Sequence, residues 1–247
     1  MRGARRVDNS DRSSRRNKKC NRETTREFVE FDHKPKITRA RDADLKLLTE
    51  AQVDYDHSIT NNIITFGVGP AGTGKTYVAA WRAAQALKND WVDRIVVTRP
   101  AIEAGESLGF LPGEMDEKYE PYFRPVRDAL EEFLGSGPLE YYLKNKIIEA
   151  RPLAYLRGAT LKNAFVLFDE AQNTTPTQMK MFLSRIGDNA KVIVDGDPAQ
   201  KDIPGKSGLE DALNRLEGLA QIGVVEFDKS DIVRSGICKA ICNRYDD

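Results

Sequence analysis

The chain has 247 residues, 40% of them hydrophobic, and its 38 Lys or Arg balance 38 Asp or Glu. This length and composition predict one sizeable core with a single catalytic domain. No apolar run approaches the ~18 to 20 residues of a transmembrane helix, and no signal-peptide pattern is found, so we expect a cytoplasmic protein.

The N-terminal segment differs sharply in charge from the rest of the chain. Residues 1–26 carry ten Lys or Arg and three Asp or Glu, a net charge of +7, which leaves −7 for the remainder. Such a segment cannot offset its ordering entropy by burial, so residues 1–33 are predicted to be a disordered basic tail before a domain at 34–247. The tail suits a nucleic-acid backbone, a solubilising role or contact with its own acidic core.

From about residue 60 onward, short β-branched runs alternate with helical patterns, as in a parallel sheet with crossover helices. Strands are predicted at residues 63–68, 94–98, 164–168, 191–194 and 224–227. Helices are predicted at residues 75–88, 121–134, 176–186, 208–217 and 231–245. The pattern therefore predicts an α/β three-layer sandwich with a mostly parallel sheet of about five strands, interrupted by a long insert at residues 99–163.

The segment after the first predicted strand, GPAGTGKT, matches the phosphate-loop pattern G-x-x-x-x-G-K-[ST] and precedes a predicted helix. Its glycines let backbone N–H groups wrap phosphates, and the helix N-terminus adds positive potential. Lys75 is predicted to reach the β and γ oxygens, and Thr76 to ligate Mg²⁺. The predicted phosphate and metal site comprises Gly69, Pro70, Ala71, Gly72, Thr73, Gly74, Lys75 and Thr76.

Two adjacent carboxylates follow the predicted strand at 164–168. Asp169 is expected at the carboxyl edge of the sheet, where it would bind Mg²⁺ through water. Glu170 is predicted to orient the attacking water or accept its proton, which would distinguish hydrolysis from storage. The alternative is that the pair only begins a turn and caps the helix after Pro176.

A second polar strand end, DGDPAQ, follows the predicted strand at 191–194 and should lie beside the first. Gln200 is predicted to sense the γ-phosphate or to hold the attacking water. The alternative is that Asp195 and Asp197 only shape a turn.

The histidines and cysteines show no metal or disulfide pattern. His33 and His57 lack zinc-ligand spacing to other His or Cys residues, and Mg²⁺ is the only metal we expect. Cys238 and Cys242 lie four residues apart in a predicted helix, where reduced thiols are expected.

From about Leu47 onward the sequence resembles the PhoH family, the phosphate-starvation-inducible ATP-binding proteins, in several long blocks that occur in the same order. They are FGVGPAGTGKTY, TRPAIEAGESLGFLPG, PLAYLRGATLKNAFVLFDEAQNTTPTQMKMFLSRIG, GDPAQKDIP and SGL. The resemblance implies a cytoplasmic ATP-binding protein with ATPase activity and a RecA-like P-loop NTPase core similar to superfamily 1 helicases. It also implies a hexameric ring and, in some relatives, RNA unwinding.

The resemblance further implies roles for individual residues. Asp169, Glu170 and Gln172 fall on a helicase-type DEAQ box, and Gln172 would couple the site to a second ligand. The resemblance also implies an adenine-contacting segment at Gln52 and Tyr55 and a sensor segment at Gly196, Asp197 and Gln200. It places Thr98 and Arg99 near a nucleic-acid-contacting segment.

Superfamily 1 motors have two such cores, and this chain has length for one. Self-assembly would let a neighbour supply an arginine to the transferred phosphoryl group, an effect worth ~10³ to 10⁵ in rate. Arg234 is the first candidate, with Arg157 and Arg99 as rivals, and each is equally suited to an ordinary ion pair.

The leading hypothesis is an ATPase coupled to RNA or single-stranded DNA, and the alternative is a nucleotide-dependent regulatory or scaffold protein. A small-molecule kinase is disfavoured by Glu170. Aromatic and basic side chains in the insert would either stack bases and hold phosphates or pack the insert against the core. They are Arg99, Phe110, Lys118, Tyr119, Tyr122, Phe123 and Arg124.

Overall fold

The computed structural model describes residues 45–100 and 115–233 and the isolated positions 236 and 244, with the backbone alone for residues 115–119. Within these residues the helices are α1 (Glu50–Asn61), α2 (Lys75–Lys88), α3 (Met115–Leu134), α4 (Ser136–Lys144), α5 (Pro176–Leu183) and α6 (Gly208–Leu216). The strands are β1 (Ile64–Val68), β2 (Arg94–Arg99), β3 (Ile148–Pro152), β4 (Ala164–Phe168), β5 (Lys191–Gly196) and β6 (Ile222–Glu226).

The strands form one sheet in the order β3-β2-β4-β5-β1-β6, and every pair is parallel. The inner strands β1, β2, β4 and β5 are almost wholly buried, as expected for parallel strands covered on both faces. The predicted α/β class, RecA-like P-loop fold and parallel sheet are confirmed.

Helices cover both faces of this sheet, and alternate strand residues divide between two cores. Ile95 and Leu167 pack into the core beneath α1, α2 and α3. Val96 and Phe168 pack into the core beneath α5 and α6. This alternation sends Arg99 and Asp169 to the same face as Ile95 and Leu167, which is the face that carries α2.

The sheet has six strands rather than about five, because β3 was not predicted. Its sequence, IEARP, lies in the long insert and buries only Ile148 and Pro152. An edge strand with polar residues between its buried ends lacks the apolar run by which the inner strands were recognised.

Several helix predictions also need correction. Helix α3 begins at Met115 rather than at Pro121. The prediction placed Pro121 in the first turn, where proline is favoured, but the helix continues through Pro121 and Pro125. The unpredicted α1 begins after Thr49, whose Oγ1 accepts the Gln52 N–H. The unpredicted α4 follows Gly135, which has φ +84°.

Two predictions fall partly or wholly outside the described residues. The basic tail at 1–33 lies outside them. The helix predicted at 231–245 does not begin at Asp231, because Lys229–Asp231 is a short 3-10 turn and Ile232 is extended. Most of the rest of that segment, with Cys238 and Cys242, lies outside the description. No helix in the described part of the chain is long and apolar enough to cross a membrane.

Candidate functional site

A cavity of about 280 Å³ opens at the carboxyl ends of the central strands. Crevices at this edge are where open α/β sheets bind ligands. The cavity brings together residues from three of the predicted motifs, which are far apart in the chain. Those of the predicted site residues that line it are Ala71, Gly72, Gly74, Lys75, Thr76, Asp169, Glu170, Gly196, Asp197 and Gln200.

The phosphate loop connects β1 to α2 in the predicted strand–loop–helix order. Gly72 and Gly74 have φ +86° and +84°, a conformation that L side chains rarely adopt, so both bends require glycine. The Thr73 hydroxyl donates to Pro70 O at 3.1 Å and closes the loop on itself. The loop is therefore shaped by its own sequence.

Lys75 lies inside this loop. Its Nζ donates to Gly69 O and Pro70 O at 2.8 Å each and to Thr73 Oγ1 at 3.2 Å. Burial lowers the pKa of the Lys75 ammonium, while the carboxylate of Asp195 opposes that shift. All three ammonium protons have acceptors, so contact with a phosphate oxygen requires Lys75 to exchange at least one of them.

Gln52 supports the phosphate loop from α1. Its Nε2 donates to Thr73 O at 2.9 Å, and its Oε1 accepts the Leu48 N–H at 2.8 Å. The side chain is only 4% exposed. Gln52 therefore contacts the backbone of the loop that holds phosphate, and both ends of its amide are already occupied by backbone groups.

Tyr55, the second residue of the implied adenine-contacting segment, is in the core instead. Its side chain has no exposed surface, and its hydroxyl donates to Asp195 on β5. Its ring packs edge-on against Phe227 with centroids 5.4 Å apart. The implied adenine contact is therefore wrong for Tyr55, because helix α1 turns this side chain toward the sheet.

Asp195 is a buried carboxyl group in the same cluster. It ends the apolar run of β5 and is paired in register with Gly67 of β1. The pKa of Asp195 is raised to about 7, chiefly by burial and also by the nearby Asp169 carboxylate, while the Tyr55 hydroxyl and Lys75 oppose the rise. The alternative in which Asp195 only shapes a turn is wrong, because the residue lies within a strand.

Asp195→Asn is expected to change how stability depends on pH. Because the folded-state pKa lies above the unfolded value near 3.9, the native protein binds the extra proton, and wild-type stability falls as pH rises toward about 7. Asn keeps an acceptor for Tyr55 and removes the buried charge. Urea unfolding should therefore find the variant more stable than wild type by about 1 to 3 kcal/mol at pH 8, with little difference at pH 5.

The exposed Asp54 of α1 supplies the control for that measurement, since Asp54→Asn should leave the pH profile unchanged. Parallel pH profiles of wild type and Asp195→Asn would contradict the prediction.

Asp169 is held by contacts on both of its oxygens. Its Oδ2 accepts the Nε of Arg99 at 3.1 Å and also the Nη2 of the same guanidinium, and its Oδ1 accepts the Glu170 N–H at 2.9 Å. Its backbone N–H donates to Thr98 O at 3.0 Å, which fixes the end of β4 to β2. Arg99 also lines the cavity.

Glu170 is the only residue of the DEAQ box with a left-handed backbone, at φ +57°. Non-glycine residues in this region are uncommon, cost free energy and concentrate at functional sites. The conformation turns the chain after Asp169 into the short 3-10 turn Ala171–Asn173. It separates the directions of two carboxylates that are adjacent in sequence.

Gln172 links the two polar strand ends. Its Nε2 donates to Glu170 Oε2 at 2.6 Å and to Gln200 O at 3.3 Å, and its Oε1 accepts the Asp197 N–H at 3.1 Å. The side chain has no exposed surface, so it does not itself contact a second ligand. A Cβ at Gly196 would lie 2.8 Å from Gln172 Oε1, which explains the glycine at that position.

Asp197 lies at the site, as the implied sensor segment predicts, and it also shapes a turn, as the alternative predicts. It lines the cavity, and it also caps the turn Pro198–Gln200, because its Oδ1 accepts the Ala199 N–H at 3.0 Å. Its Oδ2 accepts Gln200 Nε2 at 2.7 Å, which holds the amide of Gln200 at the cavity.

Apart from Arg99, the residues predicted to contact nucleic acid do not line the cavity within the described part of the chain. Thr98 and Phe123 are buried and so present no surface to a nucleic acid, and the packing alternative describes Phe123. Arg124 is exposed and Tyr122 is half-buried. Phe110 and Arg234, and the side chains of Lys118 and Tyr119, lie outside the described residues.

Tyr77 was missed by the sequence analysis. It lines the cavity, and its ring packs 5.0 Å from that of Phe133. The available signal was its position directly after the phosphate loop, in the first turn of α2.

Comparison with known proteins identifies the family. Residues 44–246 match the family model described as PhoH-like protein. The chain belongs to the PhoH family. Together with the phosphate-loop motif, this makes it a nucleotide-binding P-loop NTPase.

Two curated relatives show how far this PhoH-family chain extends along them. It is 48% identical over 223 residues to a PhoH-like protein of Bacillus subtilis, covering 89% of this chain and 70% of that one. It is 45% identical over 242 residues to Protein PhoH of Escherichia coli K12, covering 95% and 68%.

Solved structures are more distant. The large terminase of a thermophilic bacteriophage gives a TM-score of 0.45 at 14% identity, covering 81% of this chain and 50% of that one. The UvsW helicase of bacteriophage T4 gives a TM-score of 0.45 at 12% identity, covering 76% of this chain and 61% of the helicase chain. The α/β class of this PhoH-family chain rests on its own strand order.

Proposed function

We propose that this protein hydrolyses ATP with Mg²⁺, with Glu170 activating the attacking water. The observation that carries the proposal is the position of Glu170. It lines the same cavity as Lys75 and Thr76, and its carboxylate is held by Gln172, which has no exposed surface. A carboxylate fixed beside a phosphate loop is positioned to accept a proton from the attacking water.

The residues present fit Mg²⁺. The Thr76 hydroxyl and the Asp169 carboxylate are oxygen donors on one cavity, and Mg²⁺ is usually held by one or two carboxylates together with substrate phosphates. Within the described ranges no three His, Cys, Asp or Glu side chains form a metal cluster. The metal would supply charge neutralisation of the phosphates, and its binding would depend on the nucleotide.

Coupling to RNA or single-stranded DNA is the second part of the proposal. Gln172 joins Glu170 to the segment Asp197 to Gln200, so a ligand that displaces this segment would move the proposed base. The +7 charge of residues 1–26 supplies attraction for a phosphate backbone. The alternative function, a nucleotide-dependent scaffold, is favoured by the burial of Thr98 and Phe123, which removes two predicted base or backbone contacts.

The proposed homo-oligomeric ring, a hexamer by family likeness, would need an arginine from a neighbour. Arg99 is a poor candidate because it is paired with Asp169 of its own chain. Arg157 is exposed and so is available to a second copy. Arg234, the first candidate, lies outside the described residues and stays a prediction.

ATP hydrolysis measured with and without RNA and single-stranded DNA, at low and raised salt, tests this function. We expect turnover to require Mg²⁺, to rise with one of the nucleic acids and to lose that stimulation at raised salt. A protein lacking residues 1–26 should keep basal turnover and lose part of the stimulation.

Basal hydrolysis without stimulation by either nucleic acid would favour the scaffold function. No Mg²⁺-dependent hydrolysis under any condition would overturn the proposal.

A further inference from the structure

Arg99 and Asp169 form an ion pair inside the cavity. The guanidinium approaches one carboxylate oxygen with both Nε, at 3.1 Å, and Nη2. The side chains are only 15% and 14% exposed, so water screens the pair weakly. The position of this ion pair matters for binding, because Asp169 is the carboxylate expected to serve Mg²⁺.

The pair leaves little of the Asp169 carboxylate available. Oδ2 accepts from Arg99 and Oδ1 accepts the Glu170 N–H at 2.9 Å. The Glu170 contact is to the backbone at the end of β4 and can persist, whereas the contact to Arg99 is made by a long side chain. A cation that approaches Asp169 therefore competes with the guanidinium for the same oxygen.

Arg99 is suited to a second position in the same cavity. It ends β2, which is held on both sides by parallel pairing with β3 and β4, so its Cα is fixed while the guanidinium lies at the end of a long side chain. The guanidinium presents a planar fork of donors that matches phosphate oxygens. Arg99 and the phosphate loop line the same cavity, so a phosphate bound by the loop would place its oxygens in the cavity that Arg99 lines.

We propose that Arg99 is the internal counter-ion of Asp169 and that a divalent cation entering with the nucleotide displaces it, freeing the guanidinium to bind a phosphate oxygen. The exchange moves one positive charge away from Asp169 as another arrives, so the carboxylate remains neutralised throughout. The proposal rests on the proposed function in one respect, that a nucleotide and Mg²⁺ bind in this cavity.

The first test measures binding and requires no turnover. Mg²⁺ is titrated into protein with fluorescent N-methylanthraniloyl-ADP, and the half-saturating Mg²⁺ concentration is compared between wild type and Arg99→Gln. Removal of the competing cation should lower that concentration about tenfold. Arg99→Lys keeps a charge without the fork and should fall between the two.

Arg94→Gln is the matched control. Arg94 begins the same strand, at the opposite end from the cavity, and contacts Glu149 at 3.9 Å. Its replacement should leave the Mg²⁺ dependence unchanged. Circular dichroism of each variant shows whether the protein is folded.

The outcomes separate this inference from the proposed function. An unchanged or higher half-saturating Mg²⁺ concentration in Arg99→Gln would overturn the exchange, although Mg²⁺-dependent binding by wild type would leave the nucleotide site standing. Nucleotide binding that does not depend on Mg²⁺ in wild type would also overturn the exchange, whereas only the absence of Mg²⁺-dependent hydrolysis overturns the proposed function.

A second measurement, at saturating Mg²⁺, identifies the source of the phosphate. If Arg99→Gln loses affinity for a non-hydrolysable ATP analogue but not for ADP, the freed guanidinium binds the terminal phosphate. If it loses affinity only for an oligonucleotide added to the nucleotide-bound protein, the guanidinium binds backbone phosphate. No loss for either ligand would overturn the phosphate contact.

Discussion

Replacing Glu170 with Gln is expected to lower kcat for ATP hydrolysis by about 10²- to 10⁴-fold while nucleotide binding persists. Gln has the size of Glu and can still receive the hydrogen bond from Gln172 Nε2, which spans 2.6 Å in the wild type. It cannot accept a proton from water. The variant should therefore separate catalysis from the geometry of the site.

The measurement pairs steady-state phosphate release with an equilibrium titration of labelled ADP. Glu140→Gln, at an exposed position on α4, is the matched control and should retain wild-type kcat. A kcat within about tenfold of wild type in Glu170→Gln would remove Glu170 from the role of base. Loss of nucleotide binding as well would indicate that Glu170 only supports the fold of the loop.

Gly67→Ala is expected to lower the free energy of unfolding by about 3 kcal/mol. A Cβ on this buried residue of β1 would overlap Asp195 Oδ1 and would lie 2.8 Å from Tyr55 Cε2. These two side chains are hydrogen-bonded to each other in the core and neither is free to move into solvent. The added methyl group must therefore displace a buried polar contact or shift the strand that leads into the phosphate loop.

Urea unfolding measures this cost. Gly137→Ala in α4 is the control, because a Cβ there meets nothing within 4 Å and alanine favours the helix. We expect that control to equal or exceed wild-type stability. A loss below about 1 kcal/mol for Gly67→Ala would show that the cluster can adapt to the methyl group.

The two charged groups proposed to contact the phosphate and the metal already have hydrogen-bond partners within the protein. Lys75 donates to Gly69 O, Pro70 O and Thr73 Oγ1, and Asp169 accepts from Arg99. Buried charges are stable only when they are paired or hydrogen-bonded. A ligand must therefore displace these existing partners before it can bind either group. In the proposed exchange, a nucleotide phosphate would supply the partner that Arg99 loses when the metal reaches Asp169.

The inner part of the sheet was predictable because its signals are local. The segment at 164–168 is apolar throughout and became β4 with the predicted bounds, since a strand covered on both faces selects such residues. The phosphate loop was predictable for a similar reason, because Gly72 and Gly74 adopt left-handed φ values within one continuous segment. By contrast, β3 is half polar and lies within an insert, so its pairing with β2 leaves little trace in its own sequence.

The sequence by itself determined the α/β class, the phosphate loop and the order of carboxylates, because each depends on neighbouring residues. Only the tertiary structure decided which distant groups meet. Arg99 reaches Asp169 across 70 positions, and Tyr55 reaches Asp195 across 140. Those contacts follow from the strand order β3-β2-β4-β5-β1-β6, which places the ends of distant strands side by side, and no local residue pattern specifies that order.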